Sequence, residues 1–378
     1  MTDRMAGRRP DIAVVGAGIV GSACAMELAR RGRSVVLVEA VDVASDTSCR
    51  AMGHVGVYDD SPGQIAITRY ARGLWDEIAP ELPPEVEFAR RGALWVAPNE
   101  DDMAEVERKS ETYARANVDA RVVDGRTLAE MEPNLRPGLP GALFVPGDIV
   151  LDATGATRFF ARRAESFGAE LRLKARVRSI REGGVTLTDG SEVQADGVVV
   201  AAGWQVNKLL PHVPVRPRKG HIILTAPRPG YVRHQVSEVG YVRGAATRTN
   251  ESITFAFQPR ANGQYMIGAT RQYVGESADV ESRIIDGLLA RARLFLPDID
   301  TLAIERTWTG FRPAGPDSLP FIGPLPGRNR TWIAGAHEGI GITTSIATGR
   351  MIADLVEGRT PEIPVEPYRP DRAIPVAS

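Results

Sequence analysis

The stretch Ile12-Ala13-Val14-Val15-Gly16-Ala17-Gly18-Ile19-Val20-Gly21 decides the fold class. Its first four residues form a short apolar run, which is typical of a buried parallel strand. The three glycines follow at the G-x-G-x-x-G spacing and open a helical pattern. In such a loop Gly16 allows a tight turn, Gly18 lets the backbone approach a pyrophosphate, and Gly21 permits close packing of helix and strand. Phosphates would then lie at the helix N-terminus, where N–H groups and the helix dipole favour anions.

An acidic residue stands at the distance that such a loop requires. The helical pattern Ala23 to Arg31 leads to a second apolar run, Val35 to Val38, which ends in Glu39. Glu39 comes 18 residues after Gly21, close to the ~20 expected of an acid that binds ribose hydroxyls. The sequence therefore predicts a βαβ unit that binds a dinucleotide. The structural alternative is a glycine turn beside a capped strand end.

Two later segments favour FAD over NAD, which the glycine loop alone cannot distinguish. Ala195 to Gly203 reads as a strand that ends in Ala-Ala-Gly and looks like the second FAD-contacting motif of flavoproteins with two dinucleotide folds. Gly335 to Gly341 is a glycine-containing loop before the last helix, whose N-terminus can stabilise negative charge on a reduced flavin. Three separated segments that suit one cofactor favour FAD.

Composition limits the classes of function that remain. The chain has 378 residues, 43% of them hydrophobic, and a formal net charge of -1, which predicts two domains and no nucleic-acid partner. Cys24 and Cys49 form no disulfide framework, so we expect a reducing cytoplasm. No apolar run near the N-terminus is long enough for a signal or an integral membrane segment. The five histidines show no metal-ligand spacing, so we expect no metal: His54, His212, His221, His234 and His337.

Two βα-type regions flank a β-rich middle, which predicts a discontinuous domain with an insertion. The fold class is α/β: a Rossmann-like FAD domain with two dinucleotide-binding segments, and an inserted β-rich α+β substrate domain. We expect the FAD domain to comprise 9–84, 147–213 and 308–360, the substrate domain 85–146 and 214–307, and a C-terminal tail 361–378. The charged segment from Asn99 to Ala116 is interpreted as an exposed helix. The segment from Pro133 to Pro146 is dense in Pro and Gly and is interpreted as a loop crossing between domains.

The whole pattern resembles the D-amino acid oxidase superfamily, also called the DAO or glycine oxidase-like family, from Ile12 to about Val356. Thr309-Gly310-Phe311-Arg312-Pro313 is similar to the family segment whose arginine clamps the substrate carboxylate. A guanidinium fork suits that task because it can bind a carboxylate through two parallel hydrogen bonds. The alternative for Arg312 is a surface ion pair.

Thr47 to His54 resembles the segment that lies along the flavin in this family. In some D-amino acid dehydrogenases a histidine stands where His54 stands, next to the ring and the substrate, and Tyr58 is near enough in sequence to add a wall or a hydroxyl. A histidine in a glycine-bounded turn can equally be a structural polar residue. The resemblance implies non-covalent FAD, because the covalent attachment points of relatives have no Cys or His here. It implies these FAD contacts: Gly16, Ala17, Gly18, Ile19, Val20, Gly21, Glu39, Ala40, Thr47, Ser48, Arg50, Gly53, Val177, Ala202, Gly203, Glu338, Gly339, Ile340, Gly341, Ile342 and Thr343.

Within the superfamily, Pro217 to Ile222 and Gly263 to Gln272 look most like a bacterial branch. That branch contains hydroxyproline dehydrogenases, opine oxidase subunits and the flavin subunit of hydrogen cyanide synthase. Met266 aligns where oxygen-using sarcosine oxidases carry a lysine, which favours a dehydrogenase. Tyr241 and Tyr265, together with Arg243 and Arg260, are candidate pocket walls, although alternating strand faces should turn about half of them away.

The resemblance implies oxidation of a carboxylate-bearing amine by hydride transfer to flavin N5. The substrate would be a D-amino acid or a secondary amino acid such as a proline or hydroxyproline analogue, giving an imine and then a keto acid or cyclic imine. The electron acceptor is open among a quinone, a dye-type acceptor and O₂, as is the choice between a homo-oligomer and partner subunits. Three alternatives stay open: a 2-hydroxy acid dehydrogenase of the same fold, a flavin subunit that needs partners, and a non-catalytic FAD-binding protein.

Overall fold

The computed structural model describes residues 9–240 and 250–372. Elements are numbered along the chain. The strands are β1 Ile12–Val15, β2 Val35–Val38, β3 His54–Val55, β4 Ala93–Ala97, β5 Arg121–Asp124, β6 Gly141–Val145, β7 Ile149–Val150, β8 Glu170–Arg172, β9 Val177–Arg181, β10 Gly184–Leu187, β11 Glu192–Gln194, β12 Gly197–Val200, β13 Arg216–Thr225, β14 Gln235–Glu238, β15 Glu251–Pro259, β16 Tyr265–Gln272, β17 Ile304–Ala314, β18 Phe321–Pro324 and β19 Thr331–Gly335. The α-helices are α1 Ile19–Arg30, α2 Pro62–Ile78, α3 Met103–Arg115, α4 Gly125–Met131, α5 Ala153–Ser166, α6 Val206–Leu209, α7 Ser282–Arg293 and α8 Gly341–Val356.

Contacts between Cα atoms divide the chain into two compact units. The first unit comprises 1–49, 154–216 and 313–378, and the second comprises 50–153 and 217–312. Relative to the domain limits expected from the sequence, 50–84, 147–153 and 308–312 lie with the second unit rather than the first, and 214–216 lie with the first. Internal contacts do not say which segments reach a flavin, so the limits of the FAD-binding domain stay a prediction.

The first unit is built on a six-stranded sheet with the order β18-β19-β12-β1-β2-β8. All its pairs are parallel except β18–β19. The short strands β1, β2 and β12 are fully buried, as expected of strands covered on both faces. Helix α8 packs against α1 so closely that a Cβ at Gly349 would lie 2.7 Å from Ala23 O. This is the Rossmann-like α/β arrangement that the sequence predicted.

The second unit is built on an eight-stranded sheet with the order β17-β13-β16-β15-β14-β4-β6-β5. Strands β14 and β4 pair in parallel, whereas β13–β16, β14–β15, β15–β16, β4–β6 and β5–β6 pair antiparallel. One face packs against α7 through a row of paired residues on four strands, Leu94, Val236, Phe257 and Ile267. The neighbouring row on the opposite face is Trp95, Ser237, Ala256 and Gly268, because successive side chains of a strand alternate. The second, sheet-rich part that the sequence predicted is therefore confirmed.

Two local expectations were wrong. The Pro- and Gly-rich segment from Pro133 to Pro146 contains β6, whose five residues are all buried in the sheet of the second unit. The apolar residues of 141–145 form a buried strand, although Pro and Gly residues precede and follow them. The charged helix expected at 99–116 is not simply exposed, because Lys109 and Tyr113 of α3 are fully buried. Lys109 Nζ pairs with the buried carboxylate of Asp59, which offsets the cost of burying the cation.

Candidate functional site

The glycine loop of the first unit leaves no room for side chains. Gly16 has φ +103°, and a Cβ there would lie 2.5 Å from Ala201 O. A Cβ at Gly21 would lie 1.8 Å from Gly16 O. These distances are far below van der Waals contact, so glycine is required at both positions. The loop leads directly into α1, with Gly18 as its N-cap residue.

Two side chains hold the loop in place. Glu39, which follows β2, accepts hydrogen bonds from Ala17 N (2.8 Å) and Val41 N (2.9 Å) through different carboxylate oxygens. Ser48 Oγ accepts from Ile19 N at 2.9 Å. The carboxylate of Glu39 therefore lies beside the loop, where a ribose bound with its phosphates at α1 could reach it.

Three loops meet at one edge of the parallel sheet. They follow β1, β12 and β19, which are neighbouring parallel strands, so their carboxyl ends lie side by side. The second loop carries Ala202 and Gly203, and its Trp204 donates to Asp46 Oδ2 at 2.8 Å. The third loop carries Glu338 with φ 46° and leads into α8. This edge has the glycine cradle, two helix N-termini and the acid that a dinucleotide needs, so the residues fit such a cofactor.

The remaining cofactor candidates of the first unit lie around this edge. Ala175 N donates to Glu39 O at 2.8 Å, which brings the start of β9 with Val177 near the residue before Ala40. The first turn of α8 contains the candidates Gly341, Ile342 and Thr343, with Gly339 and Ile340 just before it. In the third loop His337 is buried, and burial lowers its pKa to about 3, so it is neutral at physiological pH.

In the second unit, the segment that begins at Arg50 crosses one face of the eight-stranded sheet. Met52 O accepts a hydrogen bond from Gln258 Nε2 at 2.5 Å, and a Cβ at Gly268 would lie 3.0 Å from the Met52 sulfur. Gly53 has φ +92°, and its Cβ would lie 2.0 Å from Leu151 O. The segment thus lies over the face of Gly268 and Trp95, opposite the packed core.

His54 lies in a row of polar side chains between Asp148 and Tyr58. Its Nε2 lies 3.0 Å from Asp148 Oδ2, and its Nδ1 lies 3.2 Å from the Tyr58 hydroxyl. The pairing of β3 with β7 produces this contact, because His54 pairs with Val150 and Asp148 directly precedes β7. The His54 and Tyr58 rings both pack against Trp95, with centroid distances of 6.5 and 6.3 Å.

Arg312 is placed by its neighbours in the sheet of the second unit. It lies on β17, and its Nη1 donates to Thr270 O of β16 at 2.9 Å. Its guanidinium lies over Gly220 of the intervening strand β13, where a Cβ would be 2.4 Å from Nη1. The half-buried guanidinium is therefore built into the sheet, which does not fit the alternative of a surface ion pair.

A buried polar network supports Thr270. Thr270 Oγ1 accepts from His221 N at 2.7 Å, and His221 Nε2 accepts from Glu281 N at 3.2 Å. Burial, and secondly the nearby cation of Lys219, lowers the pKa of His221 to about 4. His221 is thus a neutral acceptor, and Lys219 itself pairs with Glu281 at 2.7 Å.

Several predicted pocket residues are not brought to these positions. Tyr265 lies on the core face of the sheet, 1% exposed, and its hydroxyl donates to Arg228 O at 3.0 Å, so packing accounts for it and a substrate contact has no support there. Arg260 pairs with Glu87 and Asp152 at 3.1 and 2.7 Å. Met266, by contrast, is buried on the opposite face from Tyr265, which is the face that the segment from Arg50 crosses. Tyr241 and Arg243 lie outside the described residues.

Sequence reasoning missed Asp148, Gly56, Gly220 and Thr270. A Cβ at Gly56 would lie 2.7 Å from Asp148 Oδ2 and 2.9 Å from His54 Nε2, so this glycine makes room for the pair. The signal that could have found Gly56 and Gly220 is a glycine inside a strand-like stretch, which often marks a close approach. Asp148 is 94 residues from His54, and no local pattern connects them.

Within residues 9–240 and 250–372, no three His, Cys, Asp or Glu side chains are grouped as a metal ion would require. Across the same described ranges, no helix combines the length and apolar character needed to cross a bilayer.

Comparison with known proteins identifies the family. Glycine oxidase of Geobacillus kaustophilus (strain HTA426) is 28% identical over 383 aligned residues, covering 97% of this chain and 98% of that protein. The crystal structure of glycine oxidase from Geobacillus kaustophilus matches with a TM-score of 0.88 and 27% identity, over 97% of this chain and 100% of that one. Iminodiacetate oxidase from Chelativorans sp. BNC1 matches with a TM-score of 0.82 and 25% identity, over 95% and 98%. The model of the family described as FAD dependent oxidoreductase (DAO) matches residues 11–355, so the chain belongs to the DAO family of FAD-dependent oxidoreductases, and its cofactor is FAD.

Proposed function

We propose that this chain oxidises a carboxylate-bearing amine, either a D-amino acid or a secondary amino acid such as a proline or hydroxyproline analogue. The observation that carries the proposal is Arg312, held over Gly220 by its bond to Thr270 O. A fixed guanidinium can bind a carboxylate through paired, charge-assisted hydrogen bonds and so position the neighbouring carbon. The relatives support this substrate class, because glycine and iminodiacetate both carry a carboxylate one carbon from nitrogen.

Non-covalent FAD is proposed to be held by residues from several segments of the chain. They are Gly16 to Gly21, Glu39, Ala40, Thr47, Ser48, Arg50, Gly53, Val177, Ala202, Gly203 and Glu338 to Thr343. When bound, FAD supplies the acceptor for the hydride that leaves the substrate carbon. The pyrophosphate would be held by backbone N–H groups at α1, and Glu39 would accept hydrogen bonds from the ribose.

The protein's own task is to orient the substrate and to keep its nitrogen in the reactive state. Arg312 would fix the carboxylate, and therefore the C–H bond next to nitrogen, in one orientation. The amine must be neutral, because a protonated nitrogen has no lone pair to form the C=N bond as hydride leaves. Hydrolysis of the imine then gives a keto acid, whereas a cyclic imine can persist.

Anaerobic titration of the yellow protein tests this proposal. We expect D-, L- or N-alkyl amino acids to bleach the flavin absorbance, and 2-hydroxy acids of the same shape to leave it unchanged. Arg312→Leu should retain FAD and lose bleaching at the substrate concentrations that reduce the wild type. Bleaching by 2-hydroxy acids alone would contradict the amine assignment, and release of FAD from Arg312→Leu would contradict the role of Arg312.

A further inference from the structure

The hydrogen bonds in the row of Asp148, His54 and Tyr58 run in one direction, with Tyr58 donating to His54 and His54 donating to Asp148. A carboxylate only accepts, so the His54 Nε2 at 3.0 Å from Asp148 carries a proton. In the neutral ring, Nδ1 then has no proton and accepts from the Tyr58 hydroxyl at 3.2 Å. Asp148 therefore fixes the tautomer of His54, and the free basic nitrogen faces Tyr58. A carboxylate has the same effect on the histidine of serine protease triads.

The row also runs from the interior outwards. The Asp148 side chain is 1% exposed and that of His54 is 11% exposed, and Tyr58 is half-buried. Asp148 Oδ1 has no hydrogen-bond partner among the described residues, so the carboxylate keeps acceptor capacity for a charged imidazole. Asp148 is the buried end of the row, so the Tyr58 hydroxyl at the opposite end, on a half-buried residue, is where a proton can enter it.

Space for the row is built into the backbone. Gly56 lies on the Asp148–His54 contact, and a Cβ there would be 2.7 Å from Asp148 Oδ2 and 2.9 Å from His54 Nε2. Trp95 packs against both His54 and Tyr58 and keeps the two rings together. A chance surface contact would not need a glycine and a buried tryptophan around it.

We propose that Asp148, His54 and Tyr58 form a proton relay that deprotonates the ammonium group of the substrate. The Tyr58 oxygen accepts the proton from the substrate nitrogen while the Tyr58 proton passes to His54 Nδ1. One N–H bond of the substrate breaks, one N–H bond of the imidazole forms, and no electrons change hands. The products are a neutral amine and an imidazolium stabilised by Asp148, which is a positioning residue. The relay rests on the proposed function, because it needs an amine substrate.

Other charged groups surround the relay and contribute to its pH dependence. Lys109 Nζ lies 4.8 Å from the centroid of the Trp95 ring and pairs with Asp59. Asp59 also pairs with Arg108 at 2.9 Å, so its charge is compensated. The buried Tyr113 hydroxyl donates to Val57 O; burial, then Asp59 and Asp148, raise its pKa well above its ordinary value, so it stays protonated. His54 itself contacts Asp148, Tyr58 and the Trp95 ring.

The test measures the rate of anaerobic flavin reduction at saturating substrate between pH 6 and 10, with an amine that bleaches the wild type. We expect His54→Gln and Tyr58→Phe to lower the rate at pH 7 by about 10²-fold or more, the usual contribution of a general base. The loss should shrink as pH approaches the pKa of the substrate's own amino group, because the free amine then needs no relay. Tyr58→Phe keeps the ring packed on Trp95, so it gives an answer even if His54→Gln folds poorly.

The chain offers a matched control in His234, which is paired with the buried carboxylate of Glu132 at 2.7 Å in the same unit. His234→Gln should keep the wild-type rate at every pH. A second readout is independent of turnover: ¹⁵N NMR of labelled histidine should show His54 protonated at Nε2, with its signal identified by its loss in His54→Gln. Asp148→Asn should abolish this preference, because an amide can donate as well as accept.

The outcomes separate the relay from the proposed function. A loss of rate that is equal at all pH values, or an unchanged rate in Tyr58→Phe, would overturn the relay alone. A wild-type His54 protonated at Nδ1 would overturn its geometry. If no amine reduces the wild-type flavin, the proposed function fails and the relay loses its substrate.

Discussion

Replacing Gly220 by alanine should displace Arg312 without removing any functional group. The added Cβ would lie 2.4 Å from Arg312 Nη1 and 3.0 Å from Cζ, whereas ordinary contact begins near 3.4 Å. Since Gly220 lies on the central part of β13 and Arg312 ends in a flexible side chain, the guanidinium will move, by about 1 Å. That movement stretches its 2.9 Å bond to Thr270 O.

The size of the effect follows from two independent estimates. A hydrogen bond to a charged group contributes roughly 1.5–3 kcal/mol, which corresponds to roughly 10- to 150-fold in affinity. A displacement of 1 Å in a group that orients the substrate costs about 10²-fold in rate. We therefore expect Gly220→Ala to lower kcat/KM by about 10- to 100-fold. Alanine is favoured over glycine in a strand by up to about 1 kcal/mol, and this gain opposes the strain of the added Cβ. The free energy of unfolding should therefore change by less than about 1 kcal/mol.

Two measurements and one control make this test specific. The affinity of an unreactive carboxylate, such as benzoate, is read from the perturbation of the flavin spectrum, and kcat/KM is measured with the best amine. Gly73→Ala in α2 is the matched control, because among the described residues no heavy atom beyond its own helix turn lies within 4 Å of a Cβ at Gly73. It should leave both quantities unchanged. The reasoning is refuted if Gly220→Ala binds benzoate like the wild type while Arg312→Leu does not, since Arg312 would then not depend on the space at Gly220.

Two more predictions concern the cofactor loop and acid stability. Glu39→Gln should weaken FAD binding by roughly 10-fold or more, since hydrogen bonds to a charged acceptor are the stronger ones. The fluorescence of FAD released on dilution measures this affinity. An unchanged affinity would contradict the contact of Glu39 with the ribose. His221 has a folded pKa of about 4, below its ordinary 6.5, so the fold favours its neutral form. Its contribution to stability is fully present above about pH 6.5 and is lost as pH falls towards 4. The free energy of unfolding, measured with urea, should therefore fall less steeply across this pH window for His221→Asn than for the wild type. Equal slopes for the two proteins would contradict this prediction.

The sequence predicts best what local chemistry decides. The strand, glycine turn and helix from Ile12 to Arg30 follow from spacing and from a steric requirement that operates within ten residues. The loops after β12 and β19 were recognised for the same reason, although only the sheet order shows that they share an edge with the loop after β1. Glu39 was found by its distance from Gly21, and its bonds to Ala17 and Val41 explain why an acid at the end of β2 reaches the loop.

Long-range pairing decides what the sequence could not show. Asp148 reaches His54 only because β3 pairs with β7, and β7 follows a strand that Pro and Gly residues concealed in the sequence. The face of a strand residue also depends on register: Tyr265 and Met266 are adjacent, and the pairing of Tyr265 with Pro259 and of Met266 with Gln258 turns Tyr265 to the core. Lys109 was misjudged because its partner Asp59 is 50 residues away.

Four glycines of the candidate site fall into two physical classes, and the difference bears on function. Gly16 and Gly53 have positive φ values and serve the backbone conformation of turns. Gly56 and Gly220 do not have positive φ values; a Cβ at either would collide with the polar end of a neighbouring side chain, Asp148 with His54 in one case and Arg312 in the other. Such a glycine provides the space that functional side chains occupy, so alanine there displaces those polar groups and requires no unusual backbone conformation. Gly56→Ala and Gly220→Ala should therefore separate the proton relay from carboxylate binding, because each displaces only one of them.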